Sequence, residues 1–378
     1  MKREEWAALR VPAMDSAAEA RVRARWDRIA KPLDGLGAFE TIFARIGAMT
    51  GTEDFLLERR TLLVFCADNG IVREGVSQSG QEVTAAVAGS LGDGSSNVCC
   101  MARRAGVNVL PVNIGIAEKS SIPGIRECCV LRGTEDFLRA PAMTEAAVLE
   151  GLAVGRRLAA ERKAAGDTVL AVGEMGIGNT TTAAAVISAL TGRPAMETAG
   201  RGAGLSTRGV KRKREMIEAG LQRHGLLRGK ALSLAAKEMS RDEMPDTLCA
   251  QRFSYALRTL SCVGGLDIAG ICGAIIGSAE LRMPVVLDGL ITAAAALAAE
   301  WLWQGVREFM LASHAGREGG IGVAYAALGL QPVIGGNLAM GEGCGAVMLF
   351  PLLDLAAEVY NSHRSFADIR LEQYQRFH

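Results

Sequence analysis

The chain has 378 residues, of which 49% are hydrophobic and 22% charged, a balance that supports a large buried core in one or two domains and excludes a disordered chain. Lys plus Arg number 42 against 41 Asp plus Glu, so nothing in the overall charge favours a nucleic-acid partner. No apolar stretch follows Met1-Lys2-Arg3-Glu4-Glu5-Trp6, so no secretory signal is expected.

The first 30 residues are charged and helical in pattern, with Trp6 and Trp26 as apolar anchors. Strands are expected at Leu62 to Cys66, Val107 to Val112, Thr168 to Val172, Val285 to Leu287 and Phe309 to Ala312, each too short for a helix and rich in residues that pair in sheets. Between them, Glu145 to Ala165, Leu266 to Leu281 and Thr292 to Trp303 read as alanine-rich helices, and Val347 to Val359 as a last one. The most apolar tract, Met283 to Trp303, is interrupted by Pro284, Asp288, Gly289 and Glu300, so it reads as strand plus helix and no membrane span is expected. Alternation of strand and helix predicts an α/β fold, a mainly parallel sheet covered by helices. Ligands in such folds sit beyond the carboxyl ends of the strands, where Asp68, Glu174, Asp288 and Ser313 fall.

Nine cysteines lack any C-x-x-C spacing and read as reduced, mostly buried thiols of a cytoplasmic protein. The four histidines, one of them the terminal His378, give no basis for a histidine-rich metal site. His314 follows Ser313, but neighbours on a strand point to opposite faces, which argues against a nucleophile pair.

The most informative stretch is Gly173-Glu174-Met175-Gly176-Ile177-Gly178-Asn179-Thr180-Thr181-Thr182. It joins the strand ending at Val172 to a helix over Ala183 to Leu190, opened by an Asn/Thr cap. Such a turn either only connects strand to helix or aims free amides at an anion. It is neither a Walker loop, for no Lys precedes the threonines, nor G-x-G-x-x-G. Glu174 inside it suggests a site that handles a phosphate together with a group to be hydrogen-bonded or deprotonated.

This decapeptide resembles the signature of the nicotinate-nucleotide:dimethylbenzimidazole phosphoribosyltransferases, which make the lower-ligand nucleotide of cobamides. Other segments resemble the family in the same order: Lys31-Pro32 to Glu40, Asp68-Asn69-Gly70 with Glu74-Gly75-Val76-Ser77, Gly200-Arg201-Gly202-Ala203-Gly204-Leu205, Lys213, Asp288-Gly289, Ser313-His314 and Gly341-Glu342-Gly343-Cys344-Gly345-Ala346. The resemblance implies a large Rossmann-like domain over residues 40–345 and a small helical domain from residues 1–39 and 346–378. It implies displacement of nicotinate from nicotinate mononucleotide by a ring nitrogen of 5,6-dimethylbenzimidazole, with no cofactor and no metal, in a homodimer or a heterodimer with a paralogue.

That chemistry needs few groups. The leaving nitrogen is already cationic and departs without an acid, and one carboxylate suffices to take the proton from the incoming ring. The resemblance assigns that role to Glu342, which by itself reads as a helix-entry Glu. It assigns Lys213 to the phosphate, although Lys211-Arg212-Lys213-Arg214 alone reads as a solvated helix face. Gly176, Gly178, Asn179, Thr180, Arg201, Gly202, Gly204 and Ser77 are expected around the nucleotide, with Asp288, Gly289 and Ser313. Glu174 binds ribose hydroxyls, serves as a second carboxylate, or caps the following helix.

Four departures from the family stand out: Asn69 where it has His, Gln78-Ser79-Gly80 in place of an aromatic-Pro pair, Ala85 where a Gln is frequent, and Gly320 in place of a second His. Three of them fall near the expected acceptor pocket and suggest a different acceptor, a purine or a phenol. The readings carried forward are therefore the transferase, a paralogue acting on such acceptors within a heteromer, and a non-catalytic nucleotide-binding subunit. An NAD-dependent oxidoreductase stands well behind, lacking G-x-G-x-x-G.

Overall fold

The computed structural model describes residues 1–119, 121–226, 228–234, 244–361 and 364–376; His378 lies outside them. The strands are β1 (Arg60–Ala67), β2 (Asn108–Gly115), β3 (Arg126–Glu127), β4 (Val169–Met175), β5 (Val285–Leu287), β6 (Met310–Ala312), β7 (His314–Gly316) and β8 (Ile334–Leu338). The first six form one sheet in the order β3-β2-β1-β4-β5-β6, with every pair parallel. This is the doubly wound order, whose direction of travel reverses between β1 and β4 and leaves a crevice there at the strands' carboxyl ends. All eight residues of β1 are buried, as a strand covered on both faces requires.

The five expected strands are present, extended or trimmed by a few residues. β3 and the parallel pair β7–β8 were not anticipated. Both residues of β3 are exposed, and β8 is Ile-Gly-Gly-Asn-Leu, so neither carries the apolar signal by which a strand is read. The helices Glu145–Ala164, Leu266–Glu280 and Leu290–Leu302 match the alanine-rich segments closely. The first two lie backbone against backbone: a Cβ on Gly155 would come within 1.9 Å of the Gly270 oxygen, and one on Gly273 within 2.0 Å of the Leu152 oxygen.

The two chain ends meet. Ile29 bridges Ser365 in antiparallel fashion, and Arg376 pairs with Asp27 and Asp34. The rings of Trp26, Phe43, Phe55 and Tyr360 pack together, Trp26 at 4.9 Å from Tyr360, within an apolar core continuous with that of the sheet. Trp26→Ala is expected to cost about 3–5 kcal/mol in chemical denaturation; a loss under about 1 kcal/mol would mean that the ends contribute little. Among the described residues one helix, Cys344–Asn361, is long and apolar enough to cross a bilayer by length and composition, but half of it is buried in the protein. Cys66, Cys99, Cys262, Cys272 and Cys344 are buried thiols.

Candidate active site

Strand β4 ends in Gly173-Glu174-Met175, where side chains matter on both sides of the sheet. A Cβ on Gly173 would stand 2.7 Å from the Gly343 nitrogen and 2.8 Å from the Glu342 carbonyl carbon, so only glycine lets the Glu342 loop settle onto the strand. Glu174 is buried and takes a short hydrogen bond from the Asn179 side-chain amide, which also donates to Asp267 Oδ2 at 3.2 Å. Burial, reinforced by the charges of Asp267 and Asp288, pushes Glu174 up to about 8; burial lifts Asp267 to about 6. Burial and the neighbouring carboxylates thus favour the protonated form of Glu174.

The helix after the turn runs Asn179–Thr191 and is capped by Gly178 at φ +95°, with no side-chain cap. The expected Asn/Thr cap is absent, because Asn179 is already helical and turns its amide to the two carboxylates. Gly178 and Gly176 are required by packing as well as by the turn: a Cβ on Gly176 would lie 2.1 Å from the Ala67 oxygen, and one on Gly178 2.6 Å from Val72.

A second glycine turn faces this one. Gly202 (φ +53°) and Gly204 (φ +104°) adopt left-handed backbone. The Gly202 amide donates to Glu318 Oε1 at 3.0 Å, and Gln78 donates to the Gly204 oxygen. Arg201 donates to the Leu205 oxygen at 2.7 Å and to Thr207 at 3.1 Å, so it braces its own loop. Lys213 departs from the solvated-face reading. It is fully buried in the helix Thr207–Arg223, and its ammonium donates to Thr180 Oγ1 at 2.8 Å. Burial brings it down to about 8, opposed by the charge of Glu318. Ser77, Gly178, Asn179, Thr180 and Arg201 line one small recess between the two turns.

Glu342 stands across the cleft, between Gly341 (φ +77°) and Gly343 (φ +91°), and itself has φ +59°. A left-handed non-glycine residue costs on the order of 1–3 kcal/mol and persists only where its surroundings hold it. Among the described residues its buried Oε2 has no hydrogen-bond partner. Burial raises its pKa, Asp288 adds to the rise, and the Val98 amide and Ser96 hydroxyl oppose it.

Asp288, at the end of β5, is buried and accepts from the amides of Gly343, Gly345 and Ala346. Gly289 caps the helix Leu290–Leu302 and lies against His314. Ser313 is wholly buried and is not among the residues lining the cleft. Its hydroxyl meets His314 Nδ1 at 2.9 Å, contrary to the expectation that the two point apart; Ser313 lies in the break between β6 and β7, where ideal strand alternation does not apply. No triad results: the hydroxyl is inaccessible.

One cleft of about 330 Å³ gathers Glu174, Gly176, Asn179, Thr180, Gly202, Asp288, Gly289 and Glu342. The sequence reading missed Glu318 and the apolar wall of Val83, Val87, Ile291, Ile321, Leu338 and Met340. Val83 and Val87, four residues apart on the helix Glu82–Gly92, were a readable helical face. Of the altered family positions, only Ser79 lines the cleft. Asn69 is buried and accepts from the Thr182 hydroxyl at 3.0 Å, Ala85 packs on the core, and a Cβ on Gly320 would meet the Thr198 oxygen at 2.5 Å. Asn69, Ala85 and Gly320 are thus packing positions that do not line the cleft, contrary to the expectation that most of the departures fall in the acceptor pocket.

Residues 11–370 match the family described as Phosphoribosyltransferase. The chain belongs to this phosphoribosyltransferase family. A nicotinate-nucleotide–dimethylbenzimidazole phosphoribosyltransferase of Acetivibrio thermocellus is 35% identical over 94% of each chain, and one of Clostridium acetobutylicum 33% identical over 96% of each. The crystal structure of CobT from Thermus thermophilus superimposes with a TM-score of 0.82 at 33% identity, covering 95% of this chain and 100% of that one. The fold is thus shared with a solved phosphoribosyltransferase relative.

Proposed function

We propose that the chain transfers the phosphoribosyl group of nicotinate mononucleotide to 5,6-dimethylbenzimidazole, releasing nicotinate and forming the α-riboside 5′-phosphate. The observation that carries this reading is Glu342, a carboxylate with one buried oxygen, lining the same cleft as Thr180 and Gly202, with the buried Lys213 ammonium bonded behind Thr180. In this reading the glycine-turn amides and Lys213 take the phosphate, and the apolar wall takes the flat ring. The ring's free nitrogen lone pair attacks C1′ as the C1′–pyridinium bond breaks, and the bonding electrons neutralise the departing nicotinate nitrogen. Glu342 removes the proton from the second ring nitrogen. A single displacement inverts C1′, which turns a β-nucleotide into an α-riboside.

The helices of residues 1–39 and 346–378 form the smaller unit in this reading. A dimer, with a second copy or a paralogue, is the assembly we propose; Met348, Leu352 and Leu355 leave apolar surface exposed on the last long helix. The buried thiols support a reducing, cytoplasmic setting.

The test is incubation with nicotinate mononucleotide and dimethylbenzimidazole, adenine or p-cresol, with products identified. Equal amounts of nicotinate and α-ribazole 5′-phosphate are expected, unchanged by EDTA, because amides and one ammonium can hold a monophosphate. Consumption only with adenine or p-cresol would replace the acceptor, and none with any of the three would overturn the reading.

A further inference from the structure

We propose that Asp288 is a positioning residue for the base: its carboxylate clasps the segment Gly343 to Ala346 and thereby fixes where Glu342 stands. This rests on the assignment of Glu342 above. Grouped by sequence with the substrate contacts, Asp288 has its carboxylate already engaged. Oδ1 accepts from the Gly345 amide at 2.7 Å and the Ala346 amide at 3.2 Å, and Oδ2 from the Gly343 amide at 3.2 Å. These amides open the helix Cys344–Asn361 and have no partner within it, so a carboxylate from β5 supplies the cap that the helix's own sequence lacks.

The clasp acts on a segment confined from other sides as well. A Cβ on Gly343 would come within 2.6 Å of Leu62, and one on Gly345 within 2.0 Å of His314 Nδ1. Gly173 leaves the opposite side open for the loop to descend. Glu342, left-handed at φ +59°, is therefore held through its C-terminal neighbours, with the Ser96 hydroxyl and the Val98 amide facing its carboxylate. The Asp288 backbone is fixed in turn: its carbonyl accepts the hydroxyls of Tyr325 at 3.3 Å and Ser313 at 3.4 Å. Ser313 and Asp288, both expected around the nucleotide, are joined by a hydrogen bond beneath the base.

A positioning role predicts a specific kinetic pattern. Asp288→Asn keeps the volume but replaces one acceptor oxygen by a donor facing backbone amides. It should lower kcat about 10- to 100-fold, the order expected when a reacting group is misplaced by about 1 Å. KM for nicotinate mononucleotide should stay within about threefold, because the phosphate turns are untouched. In the Glu342→Gln background the same change should cost less than about twofold, since a base that is absent cannot be misplaced. Asp288→Glu, which retains the anionic cap but lengthens it by one methylene, should fall between wild type and Asp288→Asn, and it serves if the amide variant does not fold. A raised KM with unchanged kcat, or equal losses with and without the Glu342 carboxylate, would overturn the proposal. Near-wild-type turnover by Glu342→Gln alone would instead remove the base assignment on which it rests.

Discussion

Glu342→Gln is expected to lower kcat by roughly 10²–10⁴-fold, the usual contribution of a positioned general base, while leaving nucleotide binding and the melting transition close to wild type. The amide is nearly isosteric with the carboxylate it replaces. The pH profile separates the base from a packing role. Burial and the Asp288 charge raise the Glu342 pKa, the Ser96 hydroxyl and Val98 amide oppose the rise, and the net direction is upward. The base works deprotonated, so wild-type activity should fall with decreasing pH at values above the ordinary Glu range. The Gln variant should lack that acidic limb. Near-wild-type turnover would leave Glu174 as the other buried carboxylate in the cleft. It is the weaker candidate, because burial and the charges of Asp267 and Asp288 raise its pKa and favour its protonated form.

Lys213→Met should raise KM for nicotinate mononucleotide by about 10- to 150-fold with a smaller change in kcat, since a hydrogen bond to a charged group contributes about 1.5–3 kcal/mol. Met keeps most of the buried stem volume, so the effect isolates the ammonium and its contact with Thr180. Burial holds this Lys at about 8 in the free protein. The wild-type KM should therefore climb as pH rises past about 8 and the charge is lost, whereas the Met variant should show no such rise. A KM for Lys213→Met equal to wild type at pH 7 would place the phosphate elsewhere.

Much of this site was legible because its chemistry is written in contiguous segments. Gly173 to Thr180 and Gly200 to Leu205 each carry a turn in which Gly178, Gly202 and Gly204 are demanded by left-handed backbone, and the short apolar strands announce the parallel sheet. What escaped was set by distant contacts. Lys213 shares a run of four cations, and nothing in that run says which one the helix turns inward. Gly173 looks like a turn residue, yet its hydrogen atoms are required by a loop near the far end of the chain. Asn69 and Gly320 look like altered pocket residues and are packing positions, because family position alone does not say which way a side chain faces. Ser313 and His314 were judged by ideal strand geometry at a point where the chain leaves one sheet for the next.

The clasp between Asp288 and the Gly343 to Ala346 amides also bears on the order in which the protein becomes an enzyme. The ribosome releases the two glycine turns and Lys213 first, then β5 with Asp288, and only afterwards the segment bearing Glu342. Until β5 has joined the sheet beside β4, that last segment has no anchor for its amides. On the assignments proposed above, a nascent chain thus carries the turns of its phosphate cradle before it carries its base.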